Sequence, residues 1–398
     1  SSIRCGATMK VAIFSRYPSD SGRPRGGVES VTVVLVKAIA QLDGLDVHVI
    51  ALEPGRASLC VERDGDVTVH RLPGSNWPQI MDIFAGPGRR RLLRYLMDLR
   101  PDILHTHETY GLALGDISLP HVFTVHGFDH ANLVADSARH AWVRSHLWKY
   151  AERRGLATQK HIISITPYVR RMIESQTSAA IHDIDNPVDE RFFQIPHHPE
   201  PGRILCVGWI NERKNTLGSV EAFARIADWH REAKLIIAGD PKREPAYFQR
   251  VSAAIQQNGI GDRVELLGHI SHAQLEQELS RASVFLLPSR QENAPMAIAE
   301  AMAAGVPVIA ADRCGIPYMV QEGQTGFLID PESTDQIADR LTRLVGSASL
   351  CEQMAEAGRR VARERFHPRA VAAKTVAVYR AICAEHYPQR AASPVGVL

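Results

Sequence analysis

The sequence predicts an α/β protein of two Rossmann-like domains, each built on a parallel sheet. Three observations carry this. Short apolar runs alternate with helical stretches along nearly the whole chain, about twelve strands in all, the pattern of parallel sheets covered on both faces. A Pro- and His-rich segment, residues 195–202, interrupts that rhythm and reads as a linker, after which the rhythm restarts. Polar residues then recur just past the C-terminal ends of strands in both halves, the edge at which open α/β sheets bind ligands. Two such sheets facing each other make one cleft with a binding wall on each side.

The bulk numbers narrow the class. At 398 residues two domains are the prior, and 45% hydrophobic with 23% charged residues describes a globular protein. A formal net charge of +2 gives no reason to expect a nucleic-acid binder. Six cysteines without a C-x-x-C pair argue against a zinc site or a disulfide framework and for a reducing cytosol. No run is long enough to span a bilayer, and the residues ahead of Met9 lack an apolar signal core, so a cytoplasmic location is expected.

Residues 10–15 read as a buried strand, running into a turn-rich loop that ends in Gly26-Gly27 and opens a helix over 28–42. Strand, Gly-Gly loop and helix have the shape of an anion cradle, yet the spacing is neither G-x-G-x-x-G nor a P-loop. Strands follow at 46–52 and 67–72. A basic amphipathic stretch at 88–100 carries Arg89, Arg90, Arg91 and Arg94, which suit a membrane surface or an anionic acceptor, a solvated helix face being the plainer account. The strand at 102–108 places His105 and His107 on one face. No third ligand accompanies them, so a structural role is expected rather than a metal. His126-Gly127 ends the next strand, with Asp129 close by, and is the better candidate for touching substrate. A basic helix over 141–155, with Trp142 and Trp148, precedes the strand at 161–166. Asp183-Ile-Asp185 has the D-x-D form of a metal site, but no clear apolar strand leads into it, and an accidental match is expected.

In the second half strands are expected at 203–208, 234–240, 263–268, 284–288, 307–312 and 326–330. Helices alternate with them at 217–232, 245–257 and 273–282, and from 336 the chain reads as helical almost to 386, broken at His367-Pro368. The organising stretch is 286–312, LLPSRQENAPMAIAEAMAAGVPVIAAD. A strand end, a polar loop and a helix opening at Pro295 and closing at Gly305 offer backbone N–H groups to an anion. Two carboxylates flank that point, Glu292 in the loop and Glu300 in the helix. Carboxylates repel phosphate, so their partners are expected to be neutral hydroxyls, of a sugar or a ribose. Together these features indicate a nucleotide sugar. Lys214, in the loop after the first strand of this half, is placed to neutralise its diphosphate as the sugar departs.

These residues resemble the retaining glycosyltransferases of family 4, with the GT-B fold. The resemblance covers nearly the whole chain and is strongest over 202–331. It rests on Glu292 and Glu300 with seven residues between them, before Ala301-Met-Ala-Ala-Gly-Val-Pro-Val-Ile, on Gly26-Gly27, on His126-Gly127 and on Asn186-Pro-Val-Asp189. It implies an acceptor-side domain over 9–195, a nucleotide-sugar domain over 202–365, and a last helix, 366–390, crossing back to the first. Glu292 then holds donor-sugar hydroxyls and Glu300 the ribose. The N–H groups around Ala294 to Met296, where Pro295 lends only its position, and that of Gly27 meet the diphosphate, and Asn293 belongs to the donor site. Gly26, Gly208, Gly239 and His269 complete the donor surface, His126 lies beside sugar and acceptor, and Lys214 meets the departing phosphate. No cofactor or metal is implied beyond the nucleotide-sugar donor, expected to be a UDP-sugar; the acceptor carries a hydroxyl, on a small molecule, glycan or glycolipid. Two departures stand out. Trp209 occupies a position where the family has an arginine, leaving Arg213 or an arginine from elsewhere to supply the charge. Asn293-Ala294-Pro295 replaces an aromatic and a glycine after the first glutamate. A nucleotide-sugar epimerase and a catalytically silent binding protein are the alternatives.

Overall fold

The computed structural model describes residues 8–22, 26–107, 109–128 and 141–388, with side chains from Ser145 onward in the last stretch. Asp129, the Trp142 side chain and the residues beyond 388 lie outside the described residues. The chain divides into two compact units, residues 1–187 with 368–398, and residues 188–367.

The first unit runs β1 (Met9–Phe14), α1 (Gly27–Ala40), β2 (Leu45–Glu53), β3 (Cys60–Asp64), β4 (Val67–Pro73), α2 (Gln79–Ala85), α3 (Pro87–Leu99), β5 (Ile103–Thr106), β6 (His121–Val125), α4 (Ala141–Ala157), β7 (His161–Ser164), α5 (Pro167–Ile173) and β8 (Ala180–Asp183). Its strands order as β3-β4-β2-β1-β5-β6-β7-β8, parallel except where β3 pairs antiparallel with β4. Apolar side chains fill both faces of β1, with Val11 and Ile13 towards α1 and Ala12 and Phe14 towards α3. β3 has no counterpart in the sequence reading because it is an edge strand with no buried residue, so no alternation marks it.

The second unit runs β9 (Arg203–Val207), α6 (Thr216–Ala227), β10 (Lys234–Ala238), α7 (Pro245–Gln257), β11 (Val264–Gly268), α8 (His272–Arg281), β12 (Val284–Leu287), α9 (Met296–Ala304), β13 (Val308–Ala311), β14 (Gly326–Ile329), α10 (Thr334–Val345) and α11 (Ala348–Arg365). All six strands are parallel, ordered β11-β10-β9-β12-β13-β14. The sheet grows one way from β9 and the other way from β12, so the point of reversal lies between these neighbours, whose register pairs Phe285 with Leu205. Ligands bind beyond the carboxyl ends of strands at such a reversal. Leu205, Phe285, Leu286 and Ile309 are fully buried, as central strands covered on both faces must be.

The crossing between units falls at Pro187–Val188 rather than at 195–202. Val188 and Phe192 are buried in the second core, so the segment before the proline-rich stretch already belongs to that unit. A last helix, α12 (Pro368–His386), returns to the first unit. Its Val371, Val376 and Ile382 share a core with Val36 and Ile39 of α1, and the buried Tyr379 hydroxyl lies 2.6 Å from His105 Nδ1. The helical stretch after 336 breaks at Gly346-Ser347 as well as at His367, because the Ser347 side chain caps a new helix start. No helix among the described residues is long and apolar enough to cross a membrane.

Candidate functional site

The loop after β9 is shaped by close approach. Gly208 has φ 145°, and a Cβ there would lie 2.9 Å from Lys214 Cε, so the lysine stem crosses directly over the glycine. A Cβ on Gly239, just after β10, would lie 1.9 Å from the Gly208 carbonyl oxygen. Gly239→Ala is therefore expected to displace the β9 loop and cost about 1–3 kcal/mol, as overpacking does. Urea denaturation of the variant measures this; an unchanged midpoint would remove the close-packing argument. Beyond Gly208, Asn211 accepts the Lys214 N–H at 2.9 Å, and Asn215, with φ 55°, caps α6 by accepting the Gly218 N–H. The Asn215 side chain also donates to the Pro331 carbonyl at 2.6 Å. Two asparagines thus bracket Glu212-Arg213-Lys214 and fix where the cations point.

The loop after β12 meets them. Arg290 N–H donates to the Arg213 carbonyl at 2.8 Å, and Gly315 N–H to the Glu292 carbonyl at 2.9 Å, pinning both backbones. Arg213 Nη1 lies 2.8 Å from Glu292 Oε1 and 3.0 Å from the Gln291 carbonyl. Lys214 Nζ reaches the same Oε1 at 2.7 Å. One carboxylate oxygen therefore holds two cations, with only 11% of the Glu292 side chain exposed. Asn293 and Ala294 are half-buried, and the N-cap of α9 is Pro295, which has no side-chain acceptor to offer the first N–H groups, from Met296. Gly305 closes the helix in the left-handed conformation.

Glu300 is half-buried on α9. Burial, reinforced by the Asp189 charge and opposed by Arg191, pushes its carboxyl up to about 7. Asp189 and Arg191 pair at 3.0 Å in the segment entering the second unit, and Arg191 reaches Glu276 of α8 at 3.5 Å. His269 is exposed just past β11. Trp209 is 41% exposed, and the Arg243 guanidinium stands 5.1 Å from the centre of its ring. The position where the resemblance expects an arginine thus carries an indole with a guanidinium over it.

In the first unit, Gly26 and Gly27 open α1 with no side-chain cap, and nothing lies within 4 Å of a Cβ on either. His126 follows β6, half-buried, its Nε2 2.9 Å from His107 Nδ1. Burial pushes His126 down to about 4, so it is neutral at physiological pH. His105 is held by Tyr379 and by Thr124, and no group of three or more candidate metal ligands occurs among the described residues. Asp183 ends β8, an edge strand with no buried residue, so no apolar run leads into it; its carboxylate pairs with Arg170. On α3, Arg89 donates to the Ala113 carbonyl and Arg91 to the Gly74 carbonyl, while Arg90 and Arg94 are exposed.

The structure thus gathers Gly208, Arg213, Lys214, Gly239 and Glu292 at the reversal of the second sheet, and sets Gly26, Gly27 and His126 at the carboxyl edge of the first. Asn211, Asn215, Arg290 and Arg191, the partner of Asp189, escape the sequence reading. The spacing Asn-Glu-Arg-Lys-Asn is the signal that marks two of them.

Comparison with known proteins adds the following. The model "Glycosyl transferases group 1" matches residues 187–361, and "Glycosyltransferase Family 4" matches residues 25–192. Alpha-D-kanosaminyltransferase of Streptomyces kanamyceticus is 30% identical over 179 residues, 45% of either chain. The chain spans less than half the length of the curated relatives it matches at 30% identity or above. Among solved structures, sucrose-phosphate synthase of Thermosynechococcus elongatus covers 95% of this chain and all of its own, with a TM-score of 0.76 and 22% identity. HepE of Anabaena, solved with UDP and glucose, covers 94% of this chain and 99% of its own, with a TM-score of 0.69 and 16% identity. These two likenesses are of fold.

Proposed function

We propose a reaction from one premise: this chain belongs to the family 4, group 1 glycosyltransferases, and transfers a sugar. The donor is a nucleotide sugar, a UDP-sugar, and the acceptor is a hydroxyl on a small molecule, glycan or glycolipid. Transfer proceeds with retention at the anomeric carbon and without a metal. The observation that carries this is the convergence of Arg213 and Lys214 on Glu292, beside the uncapped start of α9, at the reversal of the second sheet. Cations and helix N–H groups are what a diphosphate requires, and a carboxylate beside them is what sugar hydroxyls require.

The bond from the anomeric carbon to the phosphate oxygen breaks, the acceptor oxygen takes its place, and the acceptor proton passes to the departing phosphate. Lys214 and Arg213 stabilise the charge that grows on that phosphate, the task a divalent cation performs elsewhere. Glu300 accepts from ribose hydroxyls, and a carboxyl titrating at about 7 is able to do so as the anion in the upper half of the neutral range. His126, neutral, lines the acceptor side of the first unit. HepE was solved with UDP, which supports the same base here. Exposed Arg90 and Arg94 suit an anionic acceptor or a membrane surface.

The test is thermal stability against a panel of nucleoside diphosphates and their sugars, for wild type and Glu300→Ala. A ligand at 100 times its Kd stabilises by about 2.7 kcal/mol, a shift of several degrees. One nucleotide is expected to raise the wild-type midpoint, with the rise at least halved in Glu300→Ala. A panel without effect on the wild type overturns the donor-site reading. The anomeric configuration of the product, and turnover in a chelator, then decide retention and metal independence.

A further inference from the structure

We propose that Glu292 makes this site favour an intact donor over the nucleoside diphosphate left after transfer, by holding both phosphate cations itself when no sugar is present. The inference rests on the donor-site reading above and adds a selectivity device to it.

In the free protein, Glu292 Oε1 lies 2.8 Å from Arg213 Nη1 and 2.7 Å from Lys214 Nζ, so one carboxylate occupies the place of an anion between two cations. Arg213 and Lys214 each carry further N–H donors, but a diphosphate that takes them competes with Glu292 for both cations and draws them away from it. The Glu292 side chain is only 11% exposed, so little water is at hand to take over, and the carboxylate would then stand beside a second anion. It has no easy retreat by loop movement. Its carbonyl is held by the Gly315 N–H, and the Arg213 carbonyl by the Arg290 N–H, so both partners keep their backbones while the side chains exchange ligands.

The two ligands differ in how they meet that stranded carboxylate. An intact donor brings sugar hydroxyls, which donate to Glu292 as its cations are taken. A bare nucleoside diphosphate brings none, and carries one more negative charge against it. Arg213 matters in this chain because position 209 is an indole: Arg213 and Lys214 are the two cations ion-paired to Glu292. The same carboxylate that receives the sugar therefore helps to expel the product.

The experiment is calorimetric titration of UDP and UDP-glucose, with ADP, ADP-glucose, GDP and GDP-mannose covering other bases, into wild type, Glu292→Gln, Arg213→Gln and the double variant. Glu292→Gln is expected to bind the diphosphate roughly 10-fold more tightly than wild type while gaining nothing for the nucleotide sugar. Arg213→Gln is expected to weaken the diphosphate more than the nucleotide sugar, because the remaining cation is then held by Glu292 alone. In the double variant the relief given by Glu292→Gln is expected to restore part of that loss. Diphosphate affinity that stays level or falls in Glu292→Gln overturns the proposal, as does an equal loss for both ligands in Arg213→Gln. Wild type that binds none of the six takes down the donor-site reading with it, whereas binding with an unmoved ratio removes this inference alone.

Discussion

Lys214→Ala is expected to lower turnover by about 10²–10³-fold while leaving the fold intact. Removing one fixed donor from a site of developing negative charge has an effect of that size, because no water is organised to replace it during the reaction. The Lys214 side chain is 13% exposed and its stem crosses Gly208 to reach Glu292, so its position is set by close packing on the backbone. Stability should change little, since Arg213 still compensates the Glu292 carboxylate. Lys214→Arg should recover part of the rate. Turnover is followed as release of nucleoside diphosphate from the donor identified by thermal shift, and the melting midpoint is read on the same samples. A variant with turnover within 3-fold of wild type, roughly 0.7 kcal/mol of barrier, removes Lys214 from the reaction.

Acid is expected to unfold the first unit ahead of the second. Burial holds His70 at about 4, His121 at about 3 and His126 at about 4, and pushes His105 and His107 well below the ordinary histidine range. All five belong to the first unit. Their folded values lie below the unfolded value near 6.5, so as pH falls through 6.5 the unfolded chain binds protons that the folded chain refuses. Stability is thus full above about 6.5 and lost progressively towards 4. Each such histidine contributes up to about 1.4 kcal/mol per pH unit, and even with neighbours sharing the effect the loss by pH 5 is on the order of 5 kcal/mol. Glu300 works in the opposite sense: pushed up to about 7, it gains a proton on folding and favours the folded state as pH falls from 7 to its unfolded value. One carboxyl in the second unit does not offset five imidazoles in the first. Near-ultraviolet dichroism against pH should show loss of packing with a midpoint above about 4.5, and a fold intact at pH 3.5 would contradict the account.

The parts of the molecule legible in the sequence are those where local pattern and burial coincide. Strands β9, β10, β12, β13 and β14 of the second unit bury most of their residues and appear as nearly uninterrupted apolar runs, while β11, an edge strand carrying Glu265, is marked by its place in the alternation with helices; observed and expected bounds differ by at most two residues. β3 and β8 are edge strands with exposed or half-exposed residues, and nothing in their composition distinguishes them from loop. The crossing at Pro187 was hidden for another reason. Proline and histidine at 195–202 signal irregular backbone, but where a domain ends depends on which core takes up Val188 and Phe192, and no local pattern encodes that. In the site, Glu292 and Lys214 stand out as charges in the loops after strands, and Glu300 as a carboxylate among the small residues of α9. The double pairing on one oxygen of Glu292 requires β9 and β12 to be neighbours, which chain order alone does not state. The same holds for Arg243 over Trp209, brought together because β10 lies beside β9.

The return of α12 to the first unit has a consequence for how the protein comes into being. During synthesis the residues of the second unit emerge as one unbroken stretch, and every strand of their sheet is available before residue 368 has been made. The first unit, begun earlier, must wait. Until α12 arrives, the face of α1 that it covers is exposed, and His105 has no phenol to meet. The earlier half of the nascent chain is therefore completed later than the half that follows it, and for that interval it presents an apolar surface to the cell. Shortening the chain before Tyr379 would make that interval permanent, and such a product is expected to be taken up by chaperones or degraded rather than to accumulate.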